Sequence, residues 1–233
     1  MFHIILSGIM AAAPVQPEYL AYDPILTLFE EVDFEDFQRP GWIIFRQAMV
    51  GYNQLKDAQK PSRDEVLTII DFSKASNEKR LWVIDLKNKK VLFNTLVAHG
   101  RNSGDLYATR FSNQPESHQS SLGFYVTGET YFGKHGLSLR LYGAEKGIND
   151  NAAARAIVVH GAEYVSETFI KRTGRLGRSY GCPAVPMETH KAIINQVAGG
   201  SCFFIYYPDK GYLTTTAFKG PVTQEASIGA AGL

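Results

Sequence analysis

Cysteine is nearly absent from this chain. There are two, Cys182 and Cys202, and two cysteines do not make a disulfide framework. A single bridge between them stays open on sequence grounds. Cys202, however, sits in "SCFFIYY", an apolar strand-like run in which a free thiol behaves as a small apolar side chain. Two unpaired thiols are therefore expected, only one of them reactive. An excess of one charge is also missing. Lys and Arg total 24 against 23 Asp and Glu, which gives no electrostatic case for nucleic acid or an anionic membrane as the main partner. No apolar run approaches the roughly 20 residues of a membrane span. Internal repeats and low-complexity blocks are lacking too. With 45% hydrophobic residues, 20% charged residues and a length of 233, the expected product is a folded domain with a substantial core.

The chain divides by pattern. The start, "MFHIILSGIMAAAPVQPEY", resembles an export signal without its basic first region, and an unstructured leader is the alternative. From Tyr22 to Ala58 the spacing is helical. Asp23-Pro24 opens "DPILTLFEEV" as a cap and first-turn proline, and Ile44, Phe45, Ala48, Met49, Tyr52 and Leu55 share one face. After Pro61 the period approaches two. Strands are expected at "VLTIIDF", "RLWVIDL", "VLFNTLVAHG", "LGFYVTG", "LSLRLYG", "AIVVHG" and "CFFIYYP". Two helices interrupt them, around Ala162–Lys171 and Glu188–Val197. The fold class is then mainly β with packed helices, a sandwich or barrel core. The boundaries fall at 1–62 for a leader and N-terminal helical segment, 63–210 for the main domain, and 211–233 for a tail expected to fray.

The chemistry concentrates in "IVVHGAEYVSETFIKRTGRLGRSYGCPAVP". A thiolate is the nucleophilic form of cysteine, so a catalytic Cys182 needs a base nearby. His160, closing an apolar strand, supplies one with a pKa near neutrality. In "SYGCP" the backbone N–H groups can converge on a developing oxyanion, and Pro183 fixes the exit of the chain. Composition alone leaves the alternative open that Cys182 is a small structural residue in a Gly/Pro turn.

The combination "VVHGAEY…GRSYGCPAVP", a strand-end His-Gly followed by Ser-x-Gly-Cys, resembles the signature of the L,D-transpeptidase (YkuD-type) catalytic domain. The divergent branch described as murein L,D-transpeptidase catalytic domain proteins is the nearer likeness. "VAHGRNSGDLYATRFSN", "SSLGFYVTGETYFGKHGLSLRLYG" and "RAIVVHGA" also resemble it, and the likeness spans Leu67 to Tyr207. The resemblance implies a YkuD-like core, with Cys182 as nucleophile and His160 as general base. It implies that the Gly161 carbonyl orients the histidine and that the N–H groups of Tyr180, Gly181 and Cys182 form the oxyanion hole. Ser179 would shape the turn. The implied partners are peptidoglycan stem peptides as donor and acceptor, with 3→3 cross-linking as product, no metal or organic cofactor, and an extracytoplasmic location in the periplasm or cell envelope. An L,D-carboxypeptidase or endopeptidase with the same residues is the alternative, and a non-catalytic wall-binding module is an alternative of another class.

This chain departs from the pattern at two places. Tyr180 stands where many relatives have histidine, and Ala184 where many have arginine or asparagine. Arg178 is a candidate to supply the missing charge as a substrate contact, with a solvated surface arginine as the other reading. His99, His135, His160 and Cys182 lack the compact spacing of a zinc site. His118 reads as a polar loop residue with a possible substrate contact, His190 as exposed, and Asn149-Asp150 as a helix cap or a cleft lining.

Overall fold

The computed structural model describes residues 23–220. The export-signal reading of the first residues, and the tail beyond Gly220, lie outside the described residues. Two helices come first, α1 (Pro24–Glu31) and α2 (Trp42–Asp57). Asp23 caps α1 as expected, accepting from the N–H groups of Ile25 and Leu26 at 2.9 and 3.4 Å. The six apolar residues read as one face of α2 are all buried. That face carries Gly51, where a Cβ would lie 2.0 Å from the Phe124 ring, so the helix can approach the sheet only with glycine there.

The strands are β1 (Val66–Asp71), β2 (Leu81–Asp85), β3 (Lys90–Thr95), β4 (Gly123–Gly133), β5 (Gly136–Gly143), β6 (Val158–Ala162), β7 (Ala184–Pro186) and β8 (Cys202–Tyr206). They form one sheet in the order β3-β2-β1-β8-β4-β5-β6-β7. The chain after β3 then crosses to the opposite edge. Ala98 bridges Ala184 of β7, and Gly100 bridges Ser179. These contacts between the two sheet edges turn the mainly β sheet into a nearly closed barrel, and they define a seam. One large apolar cluster, which includes Phe45 and Leu55 of α2, fills the interior, and a smaller one lies under Leu96, Ala98, Ala162, Val165, Leu176 and Ala184.

Three further helices follow among the described residues: α3 (Glu167–Thr173), α4 (His190–Val197) and α5 (Lys210–Thr215). α3 starts later than its periodicity suggests. Ala162 is still in β6, opposite Pro186, and the Ser166 hydroxyl accepts from the Phe169 N–H at 3.2 Å. The fraying expected after Pro208 gives way to α5 and a packed segment reaching Gly220. Buried Glu145 accepts from the Phe124 N–H at 2.8 Å, the Tyr212 hydroxyl at 3.2 Å and the Thr216 hydroxyl at 2.5 Å, which ties α5 to the sheet. Asn149 neither caps a helix nor lines a cleft. It is fully buried and donates to the carbonyls of Leu122 and Phe124, both at 2.9 Å.

Candidate active site

The seam holds the two residues singled out by the sequence. His160 lies in β6, opposite Ser138 of β5 on one side and Ala184 of β7 on the other. Its Nδ1 is 3.0 Å from the Gly161 carbonyl. A carbonyl only accepts, so Nδ1 carries the proton and Nε2 is left as the basic nitrogen. Gly161 has no room for a side chain, because a Cβ would lie 2.7 Å from both the His190 ring and the Met187 sulfur.

Cys182 lies two residues before Ala184, in the turn that enters β7. Gly181 adopts φ +123°, and a Cβ there would meet the Gln119 carbonyl at 2.8 Å. Glycine is required on both counts. Ser179 shapes the turn as the resemblance implies. Its hydroxyl donates to the Cys182 carbonyl at 2.6 Å and accepts from the Gly181 N–H at 3.1 Å. That second bond corrects the expected oxyanion set, since the Gly181 N–H is already engaged. The N–H groups of Tyr180 and Cys182 have no acceptor among the described residues. They are the donors left for a negative oxygen.

Both cysteines are unpaired, Cys202 fully buried and Cys182 half-buried. Burial pushes the Cys182 thiol above its ordinary value, with the Val158 N–H, Arg155 and Lys134 pulling the other way. The thiol donates to the Ala156 carbonyl across 3.7 Å and makes no hydrogen bond with His160. Burial also lowers the His160 pKa. The Gly161 carbonyl raises it, and the charges of His135, Lys134 and His190 lower it. Both shifts favour the neutral forms of thiol and imidazole over the ion pair. Such contacts commonly tighten only once substrate is bound.

Several neighbours come from segments distant in sequence. The His135 ring, from the turn between β4 and β5, stacks on His160 with centroids 4.4 Å apart and an interplanar angle of 22°. Arg155 donates to the carbonyls of Ser112 and Gln119 at 2.7 and 2.6 Å and to the hydroxyls of Ser121 and Ser117 at 2.6 and 3.2 Å. It thereby fixes the loop over the nucleophile turn. Ser120 donates to the Gly181 carbonyl at 3.1 Å. His135 entered the sequence reading only as a zinc-site candidate, and nothing in the local pattern marks Arg155 or Ser120. Two hollows lie nearby, and neither is lined by Cys182 or His160 itself. One, of about 170 Å³, includes Glu129, Arg140, Tyr142, Ala156 and Val158 on the sulfur side. The other, of about 580 Å³, includes Phe132, His135, Gly161, Tyr164, Met187 and Lys191 on the imidazole side.

The remaining candidates have other roles. Arg178 is not available as a free charge, for its guanidinium lies 2.6 Å from Asp105 Oδ1 and 3.0 Å from the Gly104 carbonyl. His99 is fully buried, with Nδ1 2.8 Å from Arg80 Nη2 and Nε2 3.3 Å from the Gly104 carbonyl. His190 is buried rather than exposed, its Nδ1 2.7 Å from the Met187 carbonyl. His118 packs on Tyr180 at 4.7 Å. Among the described residues no group of three or more His, Cys, Asp or Glu is placed to hold a metal ion.

A cysteine in a donor-bearing turn beside a strand-end histidine, at the seam of a nearly closed barrel, is an arrangement suited to acyl transfer. The chain belongs to the L,D-transpeptidase catalytic domain family, whose model matches residues 41–206. Among solved structures it is similar to an L,D-transpeptidase from Mycobacterium smegmatis, with 13% identity, 61% of this chain and 59% of that chain covered, and a TM-score of 0.38. L,D-transpeptidase 3 from Mycobacterium tuberculosis matches at 11% identity, covering 61% of each chain, with a TM-score of 0.40. The helical cell shape determining protein Pgp2 from Campylobacter jejuni matches at 14% identity over 71% of this chain and 57% of that chain, with a TM-score of 0.43. The match thus covers less than two thirds of each of these relatives. No curated protein matches significantly.

Proposed function

We propose that this chain is a peptidoglycan L,D-transpeptidase that works through a thioester on Cys182. The observation that carries the reading is the seam itself. It combines a half-buried thiol, two unengaged N–H donors and an imidazole whose Nδ1 is fixed by the Gly161 carbonyl. A donor stem tetrapeptide enters with the carbonyl of its diamino acid L-centre over the sulfur. His160 Nε2 takes the thiol proton as the sulfur attacks, and the N–H groups of Tyr180 and Cys182 hold the oxyanion. The C–N bond then breaks, the imidazolium protonates the leaving amine, and D-alanine departs. A side-chain amine of a second stem attacks the thioester, gives its proton to His160 and expels the sulfur, leaving a 3→3 cross-link.

The chemistry asks for no metal or organic cofactor. Its substrate lies outside the inner membrane, so the site of action is the periplasm or cell envelope. No described helix is long and apolar enough to cross a membrane.

Incubation with purified tetrapeptide muropeptides, read by mass spectrometry beside Cys182→Ala, tests the proposal. Cross-linked dimers are expected from the wild type and none from the variant. Tripeptide without dimer would assign the same residues to hydrolysis. Unchanged substrate would remove both activities.

A further inference from the structure

Three segments converge on the exposed side of the nucleophile turn. Gly100 bridges Ser179, and the next N–H, that of Arg101, donates to the Ser179 carbonyl at 2.7 Å. Asn102 stitches this strand to the third segment, donating from its backbone to the His118 carbonyl at 3.1 Å and from its side chain to the Ser117 carbonyl at 2.8 Å. Tyr180, immediately before Gly181-Cys182, is 60% exposed. The Arg101 guanidinium lies 4.8 Å from the Tyr180 ring centroid, and the His118 ring packs on the same tyrosine at 4.7 Å.

The other arginines around the nucleophile turn are already committed, and Lys134, the remaining cation acting on the thiol, lines the hollow on the imidazole side. Arg178 is paired with Asp105, and Arg155 is engaged with four oxygens of the covering loop. Arg101 is exposed, and its side chain has no hydrogen bond or ion pair among the described residues. Glu116 lies 3.7 Å from His118 and is almost fully exposed, and Asp105 is held by Arg178. A guanidinium placed over an aromatic ring and otherwise unpaired has N–H donors to offer, and their fork matches a carboxylate in a two-point contact.

We infer that Arg101, laid on Tyr180 beside the nucleophile turn, is the anchor for a carboxylate of the peptide presented to Cys182, and so a specificity-determining residue of the site. This rests on the stem-peptide reading for the identity of the ligand, but not for its chemistry. A peptide with a free carboxylate near its scissile carbonyl is held with that carbonyl over the sulfur, and the corresponding carboxamide is not. The side chain supports no other part of the fold, so Arg101→Gln removes the anchor without removing a structural contact other than the stacking on Tyr180.

The test uses two alkylating probes of nearly equal size that differ in charge. The Cys182 sulfur displaces iodide from iodoacetate or from iodoacetamide, forming the same S–C bond, and buried Cys202 does not compete. The ratio of the two rates cancels the ionisation of the thiol. At low salt the wild-type ratio of iodoacetate to iodoacetamide is expected to exceed that of N-acetylcysteine. Arg101→Gln should lower it by about tenfold, the value of one charge-assisted contact of about 1.4 kcal/mol. Lys87→Gln, in the turn between β2 and β3, removes an equal charge at a distance and should keep the wild-type ratio. An unchanged ratio in Arg101→Gln, or an equal fall in both variants, overturns the anchor. A second arm compares tetrapeptides ending in carboxylate and in carboxamide, for which the wild type should prefer the carboxylate and Arg101→Gln should lose the preference. Loss of turnover on both peptides with the alkylation result intact would sink the stem-peptide reading and leave the carboxylate anchor standing.

Discussion

Replacing His160 by alanine is expected to slow acylation of Cys182 by 10²- to 10⁴-fold at pH 7, the usual contribution of a positioned general base. The size of the loss should depend on pH in a defined direction. Burial raises the thiol pKa and lowers that of His160. In the wild type the lowered His160 pKa favours the neutral, proton-accepting imidazole at pH 7, so the rate is expected to level off there. In the variant only pre-formed thiolate reacts, and its fraction rises about tenfold per pH unit below the thiol pKa. The gap between the two proteins should therefore narrow steadily from pH 7 to pH 9. Single-turnover acylation followed by intact mass measures it. A gap that stays constant with pH would mean that His160 does not take the thiol proton.

The second large effect concerns stability. Arg80 is fully buried, lies over the Phe72 ring and donates to the Val97 carbonyl, the Lys74 carbonyl and His99 Nδ1. Burial pushes it down to about 9, which still leaves it charged at neutral pH. Arg80→Leu would strand two carbonyls and an imidazole nitrogen in the interior, at a cost of about 3–5 kcal/mol. For a domain of this size that corresponds to a fall in Tm of roughly 6–20 °C. Activity should fall with it, because the His99 carbonyl accepts from the Ser179 N–H at 3.0 Å and so supports the nucleophile turn.

The same cluster makes stability depend on pH. Burial, with the nearby Arg80 charge second, pushes His99 down to about 3 from its ordinary 6.5. Above 6.5 the imidazole is neutral in both the folded and unfolded chains, and its contribution is fully present. Below 6.5 the unfolded chain binds a proton that the folded one refuses, so stability falls until about pH 3, by on the order of 2 kcal/mol at pH 5. Denaturant unfolding of the wild type between pH 7 and 5 should show this decline, and His99→Asn should flatten it. A decline of equal steepness in the variant would place its origin elsewhere.

How much of this was legible in sequence follows from the range of each interaction. The strands announced themselves through apolar runs and a period near two, and α1 through Asp23-Pro24, because those signals are local. The placing of His160-Gly161 beside the turn that holds Ser179 and Cys182 was foreshadowed by the resemblance of that motif, because β6 and β7 pair and bring the two pieces together. β7 was hidden because three residues ending in Pro186 carry no periodicity. α5 was missed because Tyr212 and Thr216 are held by Glu145, far away in the chain. His190 was misjudged because the helical period did not say which face of α4 meets Gly161. The place of Gly181 in the oxyanion hole failed on one atom, the Ser179 hydroxyl. His135, Arg155 and Arg101 come from segments that meet the turn only once the barrel closes.

The most direct measurement is acid-quenched, single-turnover reaction with a tetrapeptide stem, followed by peptide mapping of the trapped protein. A tripeptide-mass increment on the Cys182 peptide, released by hydroxylamine and absent from Cys182→Ala, is the expected result. Turnover that proceeds with no adduct on Cys182, or that persists in Cys182→Ala, would contradict a thioester at this sulfur.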